Sequence, residues 1–506
     1  MKTSIGYFIW LLSLKLDNLK FKYSLNKPEN SQWKILKKYL KNNKNTLYGK
    51  KYNFKYIRSI EEFQRNVPIV KYSDIKNYID NLKEGEKNIL SYDKTLFFEE
   101  TTGTENISKL IPYNNSLKQE FIAAIGPWIT SLNKNFKGIF AGKSYWSISA
   151  PLKKKSKTKS VIKIGLDSDS GYLNKTGVLL SKYLILNISS NNSSEKFYIN
   201  SLKKMFKEKK LGFISVYSPS FLIQLDNILR LNWDSIIPKS LNIEKNSKWS
   251  EIFKNVKLIS CWLDSSSSQF ESEIKSFLGD IPIQKKGLLS TEGIVSFPYI
   301  KNKDPLLAIT SHFFEFLSIA DNKIYLAHNL NINEKYEVIM STGNGIMRYK
   351  TNDIIKVTNY VKNTPTIRFI GRRNKISDIV GEKISEIFCL KTLESMNKSF
   401  RLLNHGGFFY IKKESNTFSY NFAIYSSNKD IETNELNEFL EIEFNKNKYY
   451  SQAIKLNQLK KLKTTIISKN KYKNLMNVYF DYKKVKDGDR KPPILFNLED
   501  SSKIFL

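Results

Sequence analysis

Phe97-Phe98-Glu99-Glu100-Thr101-Thr102-Gly103-Thr104-Glu105-Asn106-Ile107-Ser108-Lys109-Leu110-Ile111-Pro112 runs an apolar pair into hydroxyls clustered around one glycine. Lys109 follows five residues after Thr104. Such a loop can wrap a phosphate. Glycine admits close backbone approach, the hydroxyls of Thr102 and Thr104 donate, and the lysine supplies a point charge. The order is not that of a Walker loop, which needs Gly-x-x-x-x-Gly-Lys-Ser/Thr. Taken alone, a Thr-Thr-Gly-Thr turn is more often an ordinary loop, and two later stretches decide between the readings.

The first is Ile283-Gln284-Lys285-Lys286-Gly287-Leu288-Leu289-Ser290-Thr291-Glu292-Gly293. It reads as a buried strand ending at Ser290, with Thr291 and Glu292 at its tip, where α/β proteins place their sites. A hydroxyl beside a carboxylate can hold a phosphate oxygen and a Mg²⁺ ion together. The second is Gly345-Ile346-Met347-Arg348-Tyr349-Lys350-Thr351-Asn352-Asp353-Ile354-Ile355, followed by Ile367-Arg368-Phe369-Ile370-Gly371-Arg372. Here Asp353 reads as a turn residue between two apolar strands. A carboxylate so placed can accept both hydroxyls of a ribose. Gly371-Arg372 reads as a turn at a domain edge.

Around these stretches the 506 residues are enough for a large core and two or more domains. Hydrophobic and aromatic contents of 41% and 13% describe a globular chain. The formal charge of +34 raises nucleic acid or an anionic membrane as partners. The lysines are spread along the whole sequence, however, so compositional drift is the preferred reading and no specific nucleic-acid contact is expected. Cys261 and Cys389 alone give neither a disulfide framework nor a metal-ligand spacing, which points to a reducing, cytoplasmic setting. Three histidines argue against a histidine-built zinc enzyme and weaken a Ser-His-Asp hydrolase. Ile5 to Leu14 is too short to span a bilayer and no small-residue cleavage site follows. It is read as a helix packed on the body, with peripheral membrane contact as the lesser alternative, and no transmembrane segment is expected.

Helices are expected from Ser31, with Trp33, Leu36 and Leu40 on one face, and over Ser116 to Leu132. Ile214–Tyr217 and Leu258–Trp262 read as buried strands. Strands alternating with helices give an α/β body. The tail suits a small α+β domain: a hairpin of Phe408–Ile411 with Thr417–Tyr425, a helix capped by Thr433 whose face carries Leu436, Leu440 and Phe444, and a strand over Lys463–Ser468. The basic run Lys153 to Lys159 reads as a solvated loop.

With the three stretches in order, the sequence resembles the auxin-responsive promoter family of acyl acid amido synthetases, within the adenylate-forming superfamily. The resemblance extends to Val67-Pro68-Ile69, Tyr72-Ser73-Asp74, Lys109-Leu110-Ile111-Pro112-Tyr113, Ser215-Val216-Tyr217-Ser218-Pro219, Phe314-Glu315-Phe316, Gly381-Glu382-Lys383 and Lys491-Pro492-Pro493. Lys286-Gly287-Leu288-Leu289 and Ser260-Cys261-Trp262 resemble its bacterial-type branch. The resemblance implies a large N-terminal adenylate-forming α/β domain over residues 1–377, binding ATP and the acyl acid, and a small mobile α+β C-terminal lid over 378–506. It implies that Thr102, Gly103 and Thr104 hold ATP phosphates with Lys109 closing the loop, Thr291 meets the α-phosphate, Glu292 holds Mg²⁺, and Asp353 binds the ribose. Arg372 would support ribose or hinge contacts, and Lys491 would stabilise charge on the departing pyrophosphate. The implied reaction is adenylation of a carboxylic acid, then acyl transfer to an amine of an amino acid. Transfer to a thiol such as coenzyme A, and a catalytically silent nucleotide-binding relative, are the alternatives. The last is motivated by Glu105 and Asn106, where the pattern has serine then glycine; Asn374 likewise replaces an aspartate. Neither the acid, the amine nor the oligomeric state follows from the sequence.

Overall fold

The computed structural model describes residues 2–101, 109–146, 162–165, 175–186, 194–238, 240, 242–301, 303–373, 375–400, 402, 406–414, 417–425, 432–483, 485 and 490–505. The candidate phosphate loop 102–108, the basic run at 153–159 and Asn374 lie outside these residues. The chain divides into two compact units. One comprises Met1–Val216, Ile228–Trp262 and Asp280–Phe369; the other comprises Tyr217–Asn227, Leu263–Gly279 and Ile370–Leu506.

The larger unit is mixed α/β. Its four-stranded sheet has the order Tyr145–Trp146, Phe213–Val216, Leu258–Cys261, Ile283–Lys285, every pair parallel. Phe-Ile-Ser-Val and Leu-Ile-Ser-Cys are buried along their whole length, as central parallel strands covered on both faces must be. A larger, seven-stranded sheet carries Phe313–Ser318, Lys335–Ser341, Tyr349–Val361 and Thr364–Arg372 as consecutive neighbours. The Pro28–Asn43 helix begins three residues earlier than expected, because Pro28 occupies its first turn, where a missing N–H costs nothing. It buries Leu36 and Leu40, with Trp33 only half-buried. The Asn115–Asn135 helix is capped by Asn114, whose side chain accepts from the Leu117 amide at 2.9 Å. It packs against the Lys2–Ser24 helix at Gly126, where a Cβ would come within 3.5 Å of both Asp17 and Leu14.

The smaller unit is built on the sheet Gly406–Glu414, Thr417–Tyr425, Leu459–Ile466. The first two strands form the expected hairpin, in register from Gly406↔Tyr425 to Glu414↔Thr417. The third strand begins at Leu459 and pairs parallel to the second. Thr433 opens its helix without capping it, the capping position being Glu432, while Leu436, Leu440 and Phe444 are fully buried as expected. Two excursions of the chain belong to this unit by specific bonds. Glu273 pairs with Lys469 at 2.5 Å, and the Ser220 hydroxyl donates to the Arg490 carbonyl at 2.8 Å.

Candidate functional site

Two antiparallel strands bracket the phosphate-loop candidate. Phe97–Thr101 pairs with Lys109–Tyr113, and the register places Thr101 opposite Lys109. Thr102, Gly103 and Thr104 themselves lie outside the described residues; what is defined is the pair of strand ends on either side of them. Lys109 stands at one of these ends, its ammonium 5.8 Å from the Tyr72 ring centre. The Tyr72 hydroxyl accepts from the Leu110 amide at 2.9 Å, so the helix Tyr72–Lys83 braces this strand from the side.

The far end of the same strand reaches the Thr-Glu-Gly turn. The Tyr113 hydroxyl donates to the Thr291 carbonyl at 2.6 Å, and its ring stacks on Phe97 at 4.8 Å. The turn is not at the tip of a strand that runs to Ser290. The strand is confined to Ile283–Lys285. Gly287 adopts φ +82, and a Cβ there would sit 2.6 Å from the Ser296 carbonyl oxygen. The chain therefore leaves the parallel sheet at Gly287, and Ser290–Gly293 closes a separate turn with Ser290 N–H donating to the Gly293 carbonyl at 3.0 Å. Thr291 and Glu292 are half-buried on that turn.

A buried acid–imidazole pair fixes the turn from behind. His312 Nδ1 lies 2.9 Å from Glu120 Oε2, and His312 Nε2 accepts from the Ile294 amide at 3.2 Å. An accepting Nε2 leaves the ring proton on Nδ1, which donates to the carboxylate. Glu120 Oε2 also accepts from the Gly343 amide at 2.9 Å. One side chain of the Asn115–Asn135 helix thus holds both the Thr-Glu-Gly turn and the Thr342–Gly345 loop. Sequence reading missed this pair, since its members stand 192 positions apart and neither lies in a motif. The one signal was the rarity of histidine in this chain. Gly293 is fixed by the same packing: a Cβ would stand 2.5 Å from both His312 Nε2 and Met340 Cε. Gly293→Ala is expected to cost about 1–3 kcal/mol through this overpacking, read as a lower urea midpoint with unchanged slope. A midpoint equal to that of the native chain would mean that the turn yields without loss.

Asp353 is not in a turn between two strands. A single strand, Tyr349–Val361, runs through it. The pairing with Lys335–Ser341 slips between Glu337 and Ile339, and Asn352 takes φ +63. Asparagine tolerates that left-handed geometry, and the result is a bulge that presents Asp353. Thr351 Oγ1 closes the bulge, donating to the Val338 carbonyl at 2.9 Å and accepting from the Asp353 amide at 3.1 Å. Lys109, Thr291, Glu292 and Asp353 thus all belong to the larger unit. The Lys335–Ser341 strand links the last two regions, with Met340 against Gly293 and Val338 against the bulge.

Arg372 and Lys491 belong to the smaller unit. Arg372 ends the strand Thr364–Arg372, which continues through Gly371 without the expected turn. Lys491 is exposed on a segment anchored on both sides. Arg490 pairs with Asp481 at 3.0 Å, and beyond Lys491 the Phe409 amide donates to the Ile494 carbonyl at 2.7 Å.

Among the described residues no group of three or more His, Cys, Asp or Glu side chains could hold a metal by itself. A single carboxylate such as Glu292 nevertheless fits Mg²⁺, which keeps waters and takes substrate phosphates beside one or two protein carboxylates.

Comparison with known proteins adds the family frame. Residues 19–240 match the GH3 family N-terminal domain and residues 305–372 the GH3 family central domain, together more than half of the chain. The indole-3-acetic acid-amido synthetase GH3.2 of Arabidopsis thaliana is 21% identical over 435 residues, covering 74% of this chain and 79% of that protein. The 4-substituted benzoates-glutamate ligase GH3.12 of the same plant is 21% identical over 380 residues, covering 64% and 66%. The solved structure of a GH3.15 acyl acid amido synthetase superposes with a TM-score of 0.80 at 17% identity, over 96% of this chain and 95% of that one.

Proposed function

We infer that this chain, which belongs to the GH3 family, is an ATP-dependent ligase that adenylates a carboxylic acid and passes the acyl group to the amine of an amino acid. The observation that carries the reading is the Tyr113–Thr291 hydrogen bond, which ties the strand bearing Lys109, inside the GH3 N-terminal match, to the Thr291-Glu292 turn. In the first step a carboxylate oxygen bonds to the α-phosphorus of ATP and the bond to the bridging oxygen breaks, releasing pyrophosphate. In the second the amine nitrogen bonds to the acyl carbon, AMP leaves with the oxygen, and the amine proton passes to solvent. Both steps need charge neutralisation and alignment more than a protein nucleophile.

In this reading Thr102, Gly103, Thr104 and Lys109 cradle the phosphates, Thr291 meets the α-phosphate, and Asp353 takes the ribose. Arg372 supports ribose or hinge contacts, and Lys491 offsets charge on the pyrophosphate. Glu292 would hold Mg²⁺, which supplies phosphate charge neutralisation when bound. Residues 1–377 act as the ATP- and acyl-binding domain and 378–506 as a mobile lid. We place the chain in the bacterial-type branch on Lys286-Gly287-Leu288-Leu289 and Ser260-Cys261-Trp262, although the relatives named above are plant proteins. A reducing compartment such as the cytoplasm suits two buried cysteines that no disulfide joins.

The test is exchange of labelled pyrophosphate into ATP across a panel of aryl and aliphatic acids, followed by product analysis with amino acids and coenzyme A in competition. Acid-dependent exchange followed by an amide product is expected. A thioester product would replace the acceptor. ATP binding without exchange for any acid would favour a silent relative, the reading that Glu105 and Asn106 motivate.

A further inference from the structure

The Lys2–Ser24 helix has two apolar faces, and only one is used. Tyr7, Trp10, Leu14 and Phe21 are buried against the body of the larger unit. On the opposite side Ile5, Phe8, Leu12, Leu16, Leu19 and Tyr23 stand exposed, Phe8 at 68% and Leu16 at 67%. Their spacing of three and four residues makes one continuous stripe along about five turns. At about 100° per residue, Lys15 and Lys22 fall along one border of the stripe, and Lys2 and Lys20 along the other. All four lysines are exposed. The helix holds one acid, Asp17, which lies on the buried side against Gly126. The neighbouring helix Lys175–Leu184 adds exposed Val178 and Leu179, with Lys175 and Lys182 beside them.

We propose that this face docks on an anionic lipid surface, with the stripe seated at the boundary of headgroups and acyl chains. An apolar strip bordered on both sides by lysines matches the interface in cross-section: leucine and phenylalanine enter, and the lysine stems lie along the apolar zone while their ammonium groups reach the phosphates. The formal charge of +34 draws the chain toward such a surface before the stripe engages. Among the described residues no helix is long and apolar enough to cross a membrane, so this helix would lie in the interface plane. A second copy of the chain is a poorer occupant. Pairing two such stripes would set lysine rows against lysine rows with no acid on either border, the opposite of the charge pattern that holds paired helices together. This inference does not depend on the proposed ligase activity.

The experiment is co-sedimentation of the full chain with vesicles of phosphatidylcholine alone and of phosphatidylcholine with phosphatidylglycerol, at low and high salt. Binding to the anionic vesicles is expected, weakening as salt rises. The Leu12→Ser/Leu16→Ser variant should lose at least about tenfold in partition. Both leucines are exposed, so its circular dichroism and thermal midpoint should match those of the native chain. Lys15→Gln/Lys22→Gln should weaken binding to anionic vesicles and remove much of the salt dependence. No binding by the native chain would overturn the proposal. So would binding that survives the leucine changes, which would reduce the effect to general basic attraction. A concentration-dependent dimer in light scattering, lost in the leucine variant and unaccompanied by vesicle binding, would transfer the face to a second copy.

Discussion

Replacing Asp353 by alanine is expected to lower acid-dependent pyrophosphate exchange at subsaturating ATP by roughly a hundredfold or more, the effect of two hydrogen bonds to a charged acceptor. The carboxylate is buried, at 6% exposure, on a bulge that Thr351 and Val338 hold closed. Bonds formed in such surroundings are stronger than in water. The ribose contact proposed for Asp353 would be made both before and during the attack on phosphorus, so the loss should fall mainly on the KM for ATP, with kcat changed less. Asp353→Asn keeps one acceptor and should lose less. The Thr351 bond to residue 353 runs to the backbone amide and survives both changes, and thermal midpoints taken beside the kinetics would separate lost binding from lost fold. A fall confined to kcat would move Asp353 from nucleotide binding to the chemistry itself. Unchanged kinetics would remove it from the site.

The bulge also shows what could be read before the structure and what could not. Local pattern was sufficient where one element buries one face. Phe213–Val216 and Leu258–Cys261 announce themselves as continuous apolar runs, and Leu436, Leu440 and Phe444 mark a helix by spacing alone. Boundaries set by long-range contact were not legible. The strand before the Thr-Glu-Gly turn stops at Lys285 because Gly287 must pass the Ser296 carbonyl, a neighbour that only the fold supplies. Asp353 reads from the sequence as a turn residue, yet the left-handed φ of Asn352 before it serves a bulge inside a long strand. The Glu120–His312 pair is the same case in the site, since no motif joins a helix to a residue 192 positions away, just before a strand. The Lys2–Ser24 helix eluded amphipathic reading for the opposite reason. Apolar residues on both faces cancel the contrast on which periodicity depends, and the outer stripe shows only once the inner face has found its partner.

Arg348→Ala is expected to cost about 3–5 kcal/mol of stability, the typical price of stranding a buried charge. Arg348 and Glu315 are 4% and 1% exposed, and they meet through two parallel bonds, Nε to Oε2 and Nη2 to Oε1, each 2.9 Å. The remaining guanidinium nitrogen donates to the carbonyls of Gln64 and Val67 at 2.7 Å each. Gln64 returns a bond to Glu315 Oε1 at 2.9 Å. Alanine would therefore leave one buried carboxylate with a single neutral donor and two carbonyls without their present donor. Lysine cannot stand in, because an ammonium lacks the planar fork that serves both the carboxylate and the carbonyls. Arg348→Lys should recover only part of the loss. Arg348→Met/Glu315→Leu removes both charges and fills the volume, and should be markedly more stable than Arg348→Ala despite two substitutions. Urea midpoints at constant slope would check the order. The consequence reaches the site, because this arginine joins the 60–70 segment to the start of the Tyr349–Val361 strand, where the Val70 amide donates to the Arg348 carbonyl at 3.0 Å. If Arg348→Ala lost less than about 1 kcal/mol, the pair would be incidental to the fold, and the bulge bearing Asp353 would draw its rigidity from other bonds, such as Thr351 to Val338 and Lys350 to Val70.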